Sequence, residues 1–144
     1  MDLSRRDWNA FWALLLATNR VKADTTPLPS KCFSFESLPV RVDNKTGASY
    51  RQVFKGMTHE GVPIDLHITT MPPGQSPHPP HHHEHEEMML VQEGKLEATI
   101  SGHSTVVGPG SVIYVRSNDH HGLKNTGDIP AQYFVLAIGQ QTEA

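Results

Sequence analysis

Residues Pro77–Gln92 read PHPPHHHEHEEMMLVQ and hold five of the ten histidines in the chain. The prolines keep the approach to the cluster extended and exclude a helix there. On an extended chain, side chains at i and i+2 share a face, so His81 and His83 point one way and His82 the other. Glu87 follows after a short bend, at the start of an apolar strand. Two imidazoles and a carboxylate on one wall suit Fe, Mn, Ni, Co or Zn and leave room for water or substrate.

A fourth ligand is expected from a strand that faces this wall. His121 is the best candidate, because it opens a predicted strand after the turn-forming residues Ser117–Asp119. Its neighbour His120 cannot face the same side, since successive side chains of a strand alternate. The alternative interpretation is that His81–His85 form a solvated, weakly metal-sequestering tract without a defined site.

The other histidines and acidic residues near the cluster have simpler interpretations. Three histidines lie beside turn residues and are interpreted as surface groups: His59, His78 and His103. His67 lies in a predicted strand and is interpreted as a hydrogen-bonded wall residue. His82, His85 and His120 are expected to flank the site, either as non-ligands or as residues that contact the ligands and support them. Glu84 and Glu86 are expected to face solvent or to hold the tautomers of ligating imidazoles.

Length and composition indicate a single globular domain with many short secondary-structure elements. Hydrophobic residues make up 37% and charged residues 19% of 144 residues, which allows a modest core and argues against disorder. Glycine and proline contribute 11 residues each, which favours many short elements joined by turns. The net charge of −3 does not indicate a basic surface of the kind that binds nucleic acids. The one cysteine excludes an intrachain disulfide and a cysteine-based zinc site.

From Cys32 onward, short β-type runs alternate with turn signals, and helices of useful length are not predicted. The predicted strands are 49–55, 64–71, 87–92, 95–100, 105–107, 111–115, 120–124 and 131–138. Strands at such regular spacing in one small domain argue for an all-β sandwich or barrel.

The N-terminal segment has two interpretations. Residues 1–23 have the order of an export signal, with Ser4-Arg5-Arg6 and Trp8 similar to the twin-arginine type, and Val21–Ala23 as a cleavage site. The alternative is an amphipathic helix capped by Ser4. The apolar stretch is too short to span a bilayer. Residues 24–43 are predicted to form a linker and the first strand region, and residues 44–144 the barrel.

The segment Pro73–Ile138 resembles the cupin superfamily, in particular its small single-domain members. The first family motif is a glycine, five or six residues, His-x-His, three or four residues, a glutamate, six residues and a glycine. The chain matches it with Gly74, His81, His83, Glu87 and Gly94.

The second family motif is Gly-x5-Pro-x-Gly-x2-His-x3-Asn, and the chain matches its spacing with Gly110, His121 and Asn125. The chain departs from it at Arg116, where the family has proline, and at Asn118, where it has glycine. Asparagine tolerates the left-handed conformation that such a turn requires, so the departure affects the turn before His121 rather than the ligand.

The resemblance implies a double-stranded β-helix, or jelly-roll barrel, whose open end holds one divalent transition metal. The residues on the family's metal positions are His81, His83, Glu87 and His121. Fe or Mn is favoured, with Zn, Ni or Co as alternatives. Family members often dimerise by sheet pairing, so a homodimer is expected.

Two functions remain open on this basis. The first is a metalloenzyme acting on a small organic molecule, by dioxygenase-like or by lyase- or isomerase-like chemistry. The second is a non-catalytic module that binds a small ligand or metal. The expected pocket walls are largely apolar: Met89, Val91, Tyr114, Leu123 and Phe134. Tyr114, His120 and Gln132 are the candidates for a catalytic acid or base.

Overall fold

The structure is a computed structural model and describes residues 26–140. The interpretations of residues 1–23 therefore lie outside the described residues. Within the described range the chain forms nine β-strands and one short 3₁₀ helix, Phe35–Ser37. The strands are Val40–Val42 (β1), Ser49–Met57 (β2), Pro63–Met71 (β3), Glu86–Glu93 (β4), Leu96–Ile100 (β5), His103–Val107 (β6), Val112–Val115 (β7), His121–Asn125 (β8) and Ala131–Ile138 (β9). No helix in this range is long and apolar enough to cross a membrane.

The strands form two antiparallel sheets. The larger sheet has the order β1-β2-β3-β9-β4-β7, and the smaller has the order β6-β5-β8. The predicted all-β jelly-roll fold is confirmed, and each predicted strand corresponds to one of β2–β9 with ends that differ by no more than two residues. Short strands and glycine-rich turns at regular intervals therefore identified the architecture correctly.

The core lies between the sheets and follows the alternation of the central strand β9. Four residues of β9 are buried, and the residues between them are half-buried. The buried set is Ala131, Tyr133, Val135 and Ala137. Because β9 pairs with both β3 and β4, its inward side chains form the middle of the wall that carries the histidine cluster.

Two motif residues explain how the chain turns at the edge of this core. Gly94 has φ +81°, and a Cβ atom there would lie 2.6 Å from the Cα of Ala131. The fully buried side chain of Asn125 donates hydrogen bonds to the carbonyls of Met71 (2.8 Å) and Ile129 (2.9 Å). Asn125 therefore joins the end of β8 to the end of β3, which keeps the small sheet closed against the large one.

Candidate metal centre

The four sequence-predicted ligands come together where the two sheets meet. His81 and His83 precede β4, Glu87 lies in β4, and His121 opens β8 in the other sheet. A β-bridge connects His81 to His121, with N–H to carbonyl distances of 2.9 and 2.8 Å. One ring nitrogen from each of the three histidines lies within 4.8 Å of the others. The backbone pairing of His81 and His121 thus sets the spacing of the imidazoles.

Backbone carbonyls hold two of the imidazoles in a defined tautomer. The Nδ1–H of His83 donates to the carbonyl of His85 at 2.8 Å, and the Nδ1–H of His121 donates to the carbonyl of Asp119 at 2.9 Å. The Nε2 atoms therefore carry the lone pairs, and they lie 3.5 and 3.3 Å from the two carboxylate oxygens of Glu87. This is the arrangement in which a metal-binding histidine is oriented through its second nitrogen.

The turn that precedes His121 also contributes to the site. Asn118 adopts φ +63°, so asparagine occupies the left-handed position as the sequence predicted. Its backbone N–H donates to the carbonyl of His83 at 2.8 Å. Asn118 therefore adopts the left-handed conformation that the glycine of the family motif would adopt. Its hydrogen bond connects the β7–β8 turn to the backbone of His83, a candidate ligand.

The electrostatics of the centre favour ionised Glu87 and neutral His81. Burial alone would raise the pKa of Glu87, but its contact with His121 and the charges of His83, His121 and His85 lower it to about 2. Burial and the neighbouring imidazoles lower the pKa of His81 to about 4. Burial lowers the pKa of His121, but its contact with Glu87 outweighs this and raises it. At neutral pH the centre thus presents the Glu87 carboxylate and the lone-pair nitrogen of His81.

The donor atoms of the centre fit a divalent metal. The Nδ1 of His81, the Nε2 of His83 and the Nε2 of His121 are buried and have no hydrogen-bond partner within residues 26–140. Buried polar atoms without a partner are rare, because each costs free energy. A divalent cation would satisfy these nitrogens and the Glu87 carboxylate together. The chain therefore holds a His₃–Glu group that can bind a metal ion.

His85 flanks the centre and contacts two of the candidate ligands. Its ring stacks on that of His83, with centroids 3.5 Å apart, and its Nε2 lies 3.5 Å from the Glu87 carboxylate. His83, His85 and Glu87 form a second group with metal-ligand spacing. The signal in the sequence is the spacing of His83, His85 and Glu87 at i, i+2 and i+4, which the bend at residues 84–85 brings together.

The centre opens into a cavity of about 890 Å³ between the sheets. Its apolar lining residues include Met89, Leu123, Tyr133, Val135 and Ala137. The expectations for Met89 and Leu123 are thus confirmed. Val91 is buried within the core instead, and Phe134 occupies an outward position of β9. The predicted apolar wall is present, although β9 supplies it through residues one position away from Phe134.

The structure places the candidate acid–base residues outside the cavity. Tyr114 is 50% exposed on the outer face of β7, where the Glu86 carboxylate raises its pKa. His120 is exposed, because His121 takes the inward position at the start of β8. Gln132 also faces outward from β9 and donates to the hydroxyl of Thr70. None of the three side chains lines the cavity, and a general acid or base has to reach a substrate that is held there.

A polar cluster on β2 and β3 lines the cavity instead. The carboxylate of Asp65 accepts a hydrogen bond from the Nε2 of Gln52 at 2.8 Å and lies 3.5 Å from the Nζ of Lys55. The Nδ1 of His67 is 3.9 Å from the same carboxylate, an ion-pair rather than a hydrogen-bond distance. Burial raises the pKa of Asp65, but its contacts with His67, Gln52 and Lys55 outweigh burial and lower it. His67 lies in the wall, as the sequence predicted. The grouping of Gln52, Lys55 and Asp65 around it was not predicted.

The family assignment follows from the chain's match to a known domain model. The model described as a cupin domain matches residues 67–138, which is half of the chain and includes all four candidate ligands. The protein therefore belongs to the cupin family, and the resemblance carried by its two histidine motifs is confirmed. A search of curated proteins gives no match.

Solved structures with the same fold serve different functions. An RmlC-like cupin from Shewanella frigidimarina is similar with TM-score 0.62 and 20% identity, over 78% of this chain and 94% of its own. A polyketide cyclase from Streptomyces resistomycificus has TM-score 0.63 and 20% identity, over 80% and 83%. A cupin domain of an XRE family transcriptional regulator from Enterobacter cloacae has TM-score 0.54 and 21% identity, over 66% and 98%. At these identities the similarity shows the fold, which does not select a function.

The lowered pKa of Asp65 predicts a pH-dependent contribution to stability. The contribution is fully present above the ordinary pKa of 3.8 and is lost as the pH falls through the lower value of the folded state. Replacing Asp65 by Asn should lower the free energy of unfolding by about 1–2 kcal/mol at pH 7, because it removes a charged hydrogen-bond acceptor. The difference in the free energy of unfolding between wild type and Asp65→Asn should become smaller below pH 3.8. Urea denaturation from pH 7 to pH 2 checks this.

The matched control for this prediction is Asp128→Asn, at an exposed turn position. It should change the free energy of unfolding little at any pH. A difference between wild type and Asp65→Asn that stays constant from pH 7 to pH 2 would contradict the assigned role of the Asp65 charge.

Proposed function

We propose that the protein is a metal-dependent enzyme that acts on a small organic molecule at the His₃–Glu centre. The observation that carries the proposal is the convergence of three unpartnered, buried imidazole nitrogens, two of them beside the Glu87 carboxylate, at the wall of a cavity of about 890 Å³. The ligands would be His81, His83, Glu87 and His121. Four protein ligands leave one or two coordination positions of a six-coordinate metal for substrate or oxygen.

Iron or manganese is the metal that we propose for this centre. Three imidazoles and one carboxylate combine borderline and hard donors, and thiolate is absent because Cys32 is far along the chain and exposed. Zinc, nickel and cobalt suit the same donors and are the alternatives. Bound there, the metal would supply Lewis acidity and, if redox-active, a route to oxygen chemistry.

The chain's own residues would select and position the substrate. Met89, Leu123 and Val135 give the cavity an apolar surface that excludes water from the substrate's carbon skeleton. The ionised Glu87 and the oriented imidazoles of His83 and His121 keep the metal in place. This environment supports either dioxygenase-like or lyase- or isomerase-like chemistry on a small molecule, and the similar polyketide cyclase supports catalysis on such a barrel.

The alternative function is a cupin module that binds a small ligand or a metal without turnover. One observation favours it specifically: a structure with the same fold is a domain of a transcriptional regulator, and it is covered over 98% of its length. In that case the cavity would act as a ligand sensor, and the His₃–Glu group would anchor the ligand or stabilise the barrel.

Metal analysis of ligand and neighbour variants tests the centre. We expect about one metal ion per chain in the wild type, and a loss of metal affinity of tenfold or more in His81→Ala and His121→Ala, because each removes one of four ligands. The matched controls are the exposed neighbours, His82→Ala and His120→Ala, which should retain the metal. Elemental mass spectrometry of the purified variants measures the content.

The same samples distinguish an enzyme from a binding module. Oxygen uptake and a panel of small organic acids and aromatic compounds are followed with and without a chelator. Turnover that the chelator abolishes excludes a pure binding module. Stoichiometric metal that survives both ligand replacements overturns the proposed centre.

We propose a homodimer formed through the outer face of β4 and β7. Leu90, Val112 and Tyr114 are 45%, 57% and 50% exposed there, at the edge of the larger sheet, and a second copy would cover them. Light scattering should give about twice the chain mass of 16.0 kDa. Val112→Glu should give the monomer mass, whereas the control Val106→Glu, on the exposed β6, should not. A monomeric wild type contradicts the proposal.

We propose export through residues 1–23, on the basis of the twin-arginine-like Ser4-Arg5-Arg6 and the following apolar stretch. This type of export carries folded proteins, so the barrel would acquire its metal before crossing. Mass spectrometry of protein recovered from its natural host should find a terminus after Ala23. A terminus at Met1 or Asp2 contradicts export, and the chain would then remain cytoplasmic.

A further inference from the structure

The polar cluster and the metal centre lie on the same wall, two strands apart. In the register of β3, β9 and β4, Asp65 is paired with Ala137, which is paired with Glu87. Adjacent strands are about 4.8 Å apart, so the backbones of Asp65 and Glu87 are separated by about 10 Å. In this row the residue between the two carboxylates is Ala137, whose side chain is a single methyl group. The cavity therefore has two polar ends, with room between them for a small molecule.

A β-bulge in β2 brings two more polar side chains into this wall. The register shifts between Gln52 and Phe54, so Gln52 is paired with His67 and Lys55 with Asp65. Without the extra residue Val53, strand alternation would turn either Gln52 or Lys55 away from the cavity. The amide of Gln52 also donates to the carbonyls of Phe54 and Leu66 at 2.9 and 3.0 Å, which stabilises the bulge. The backbone bulge in β2 thus places Gln52 and Lys55 on the same face as Asp65 and His67.

Within the cluster, Asp65 orients His67. The carboxylate lies on the Nδ1 side of the ring at 3.9 Å, beyond hydrogen-bond distance, and its negative charge there favours a proton on Nδ1. This leaves Nε2 as the basic nitrogen of a side chain that lines the cavity and is 30% exposed. A carboxylate near the other nitrogen of a neutral imidazole favours a general base, since its charge stabilises the imidazolium that forms.

We propose that His67 is the catalytic acid–base residue of the cavity, that Asp65 is its positioning residue, and that the substrate is a small carbonyl compound that binds the metal through oxygen. This inference rests on the proposed metal centre. Carboxylate and carbonyl oxygens suit the open positions of such a metal. The carbon next to the carbonyl would then lie toward His67, and its hydrogen is acidic.

The chemical step is a proton transfer without a change of oxidation state. The C–H bond next to the carbonyl breaks, its proton goes to the Nε2 of His67, and its electron pair stays on the substrate, delocalised into the carbonyl group. Asp65 stabilises the resulting imidazolium. Return of the proton to the same or a neighbouring atom restores neutral His67, so no further reactant is required.

Hydrogen–deuterium exchange tests this step with pyruvate and 2-oxobutyrate as probes. Metal-loaded wild type in D₂O should exchange the hydrogens next to the carbonyl, as followed by proton NMR. His67→Gln should lower the rate by about a hundredfold, within the usual range for loss of a general base. The matched control is His103→Gln, on the exposed β6, which should exchange at the wild-type rate. Both variants should keep the wild-type metal content.

The outcomes separate this inference from the proposed function. A metal-loaded wild type that exchanges no faster than His67→Gln overturns the role of His67 and leaves the metal centre standing. A wild type that binds no metal overturns the metal centre and this inference with it.

The positioning role of Asp65 has its own spectroscopic readout. In zinc-loaded protein, nitrogen-15 NMR should show His67 protonated on Nδ1. Asp65→Asn should reduce the population of that tautomer and slow probe exchange by about tenfold, because the charge that stabilises the imidazolium is lost. A wild-type His67 protonated on Nε2 overturns the assignment. So does an Asp65→Asn variant with unchanged exchange.

Discussion

The constraint on which the site depends is the burial of one carboxylate among several imidazoles. Glu87 is held ionised by His83, His85 and His121, whose Nε2 atoms lie 3.3 to 3.5 Å from its oxygens. Backbone carbonyls occupy the Nδ1 atoms of His83 and His121, so these rings cannot turn away without losing a hydrogen bond. The donor atoms are thereby presented together in a buried space, where a cation is the partner that satisfies all of them.

Strand register then determines what else faces that cation. The row Asp65, Ala137 and Glu87 crosses three strands of the larger sheet, and the small side chain of Ala137 keeps the space between the carboxylates open. The bulge at Val53 adds Lys55 to the same wall. A rigid sheet thus supports a metal centre at one end and a polar cluster at the other. The fold itself is compatible with enzymes and regulators, so these side chains, rather than the barrel, carry the function.

Much of the fold and of the centre follows from local sequence rules. Regular turns and β-type runs predicted eight of the nine described strands as separate elements, and a first strand region was expected where β1 lies. The shared face of His81 and His83 depends only on alternation along an extended chain, which needs no tertiary information, and Glu87 follows after a bend at residues 84–85. The same rule distinguished His121 from His120. At His85 a bend at residues 84–85 interrupts this alternation, and Tyr114 lies on the outer face of β7 because Ile113 and Val115 take the inward positions.

By itself the sequence determined the jelly-roll class, the cupin motifs and the donor set, because each is encoded in residues close together or in a fixed spacing. The tertiary structure decided which distant strands share a wall. Asp65 and His67 precede Glu87 by about twenty residues, and their place beside the cavity depends on the pairing of β3 with β9 and of β9 with β4. Pairing between strands far apart in sequence, and a bulge that reverses alternation after Gln52, follow from packing of the whole barrel.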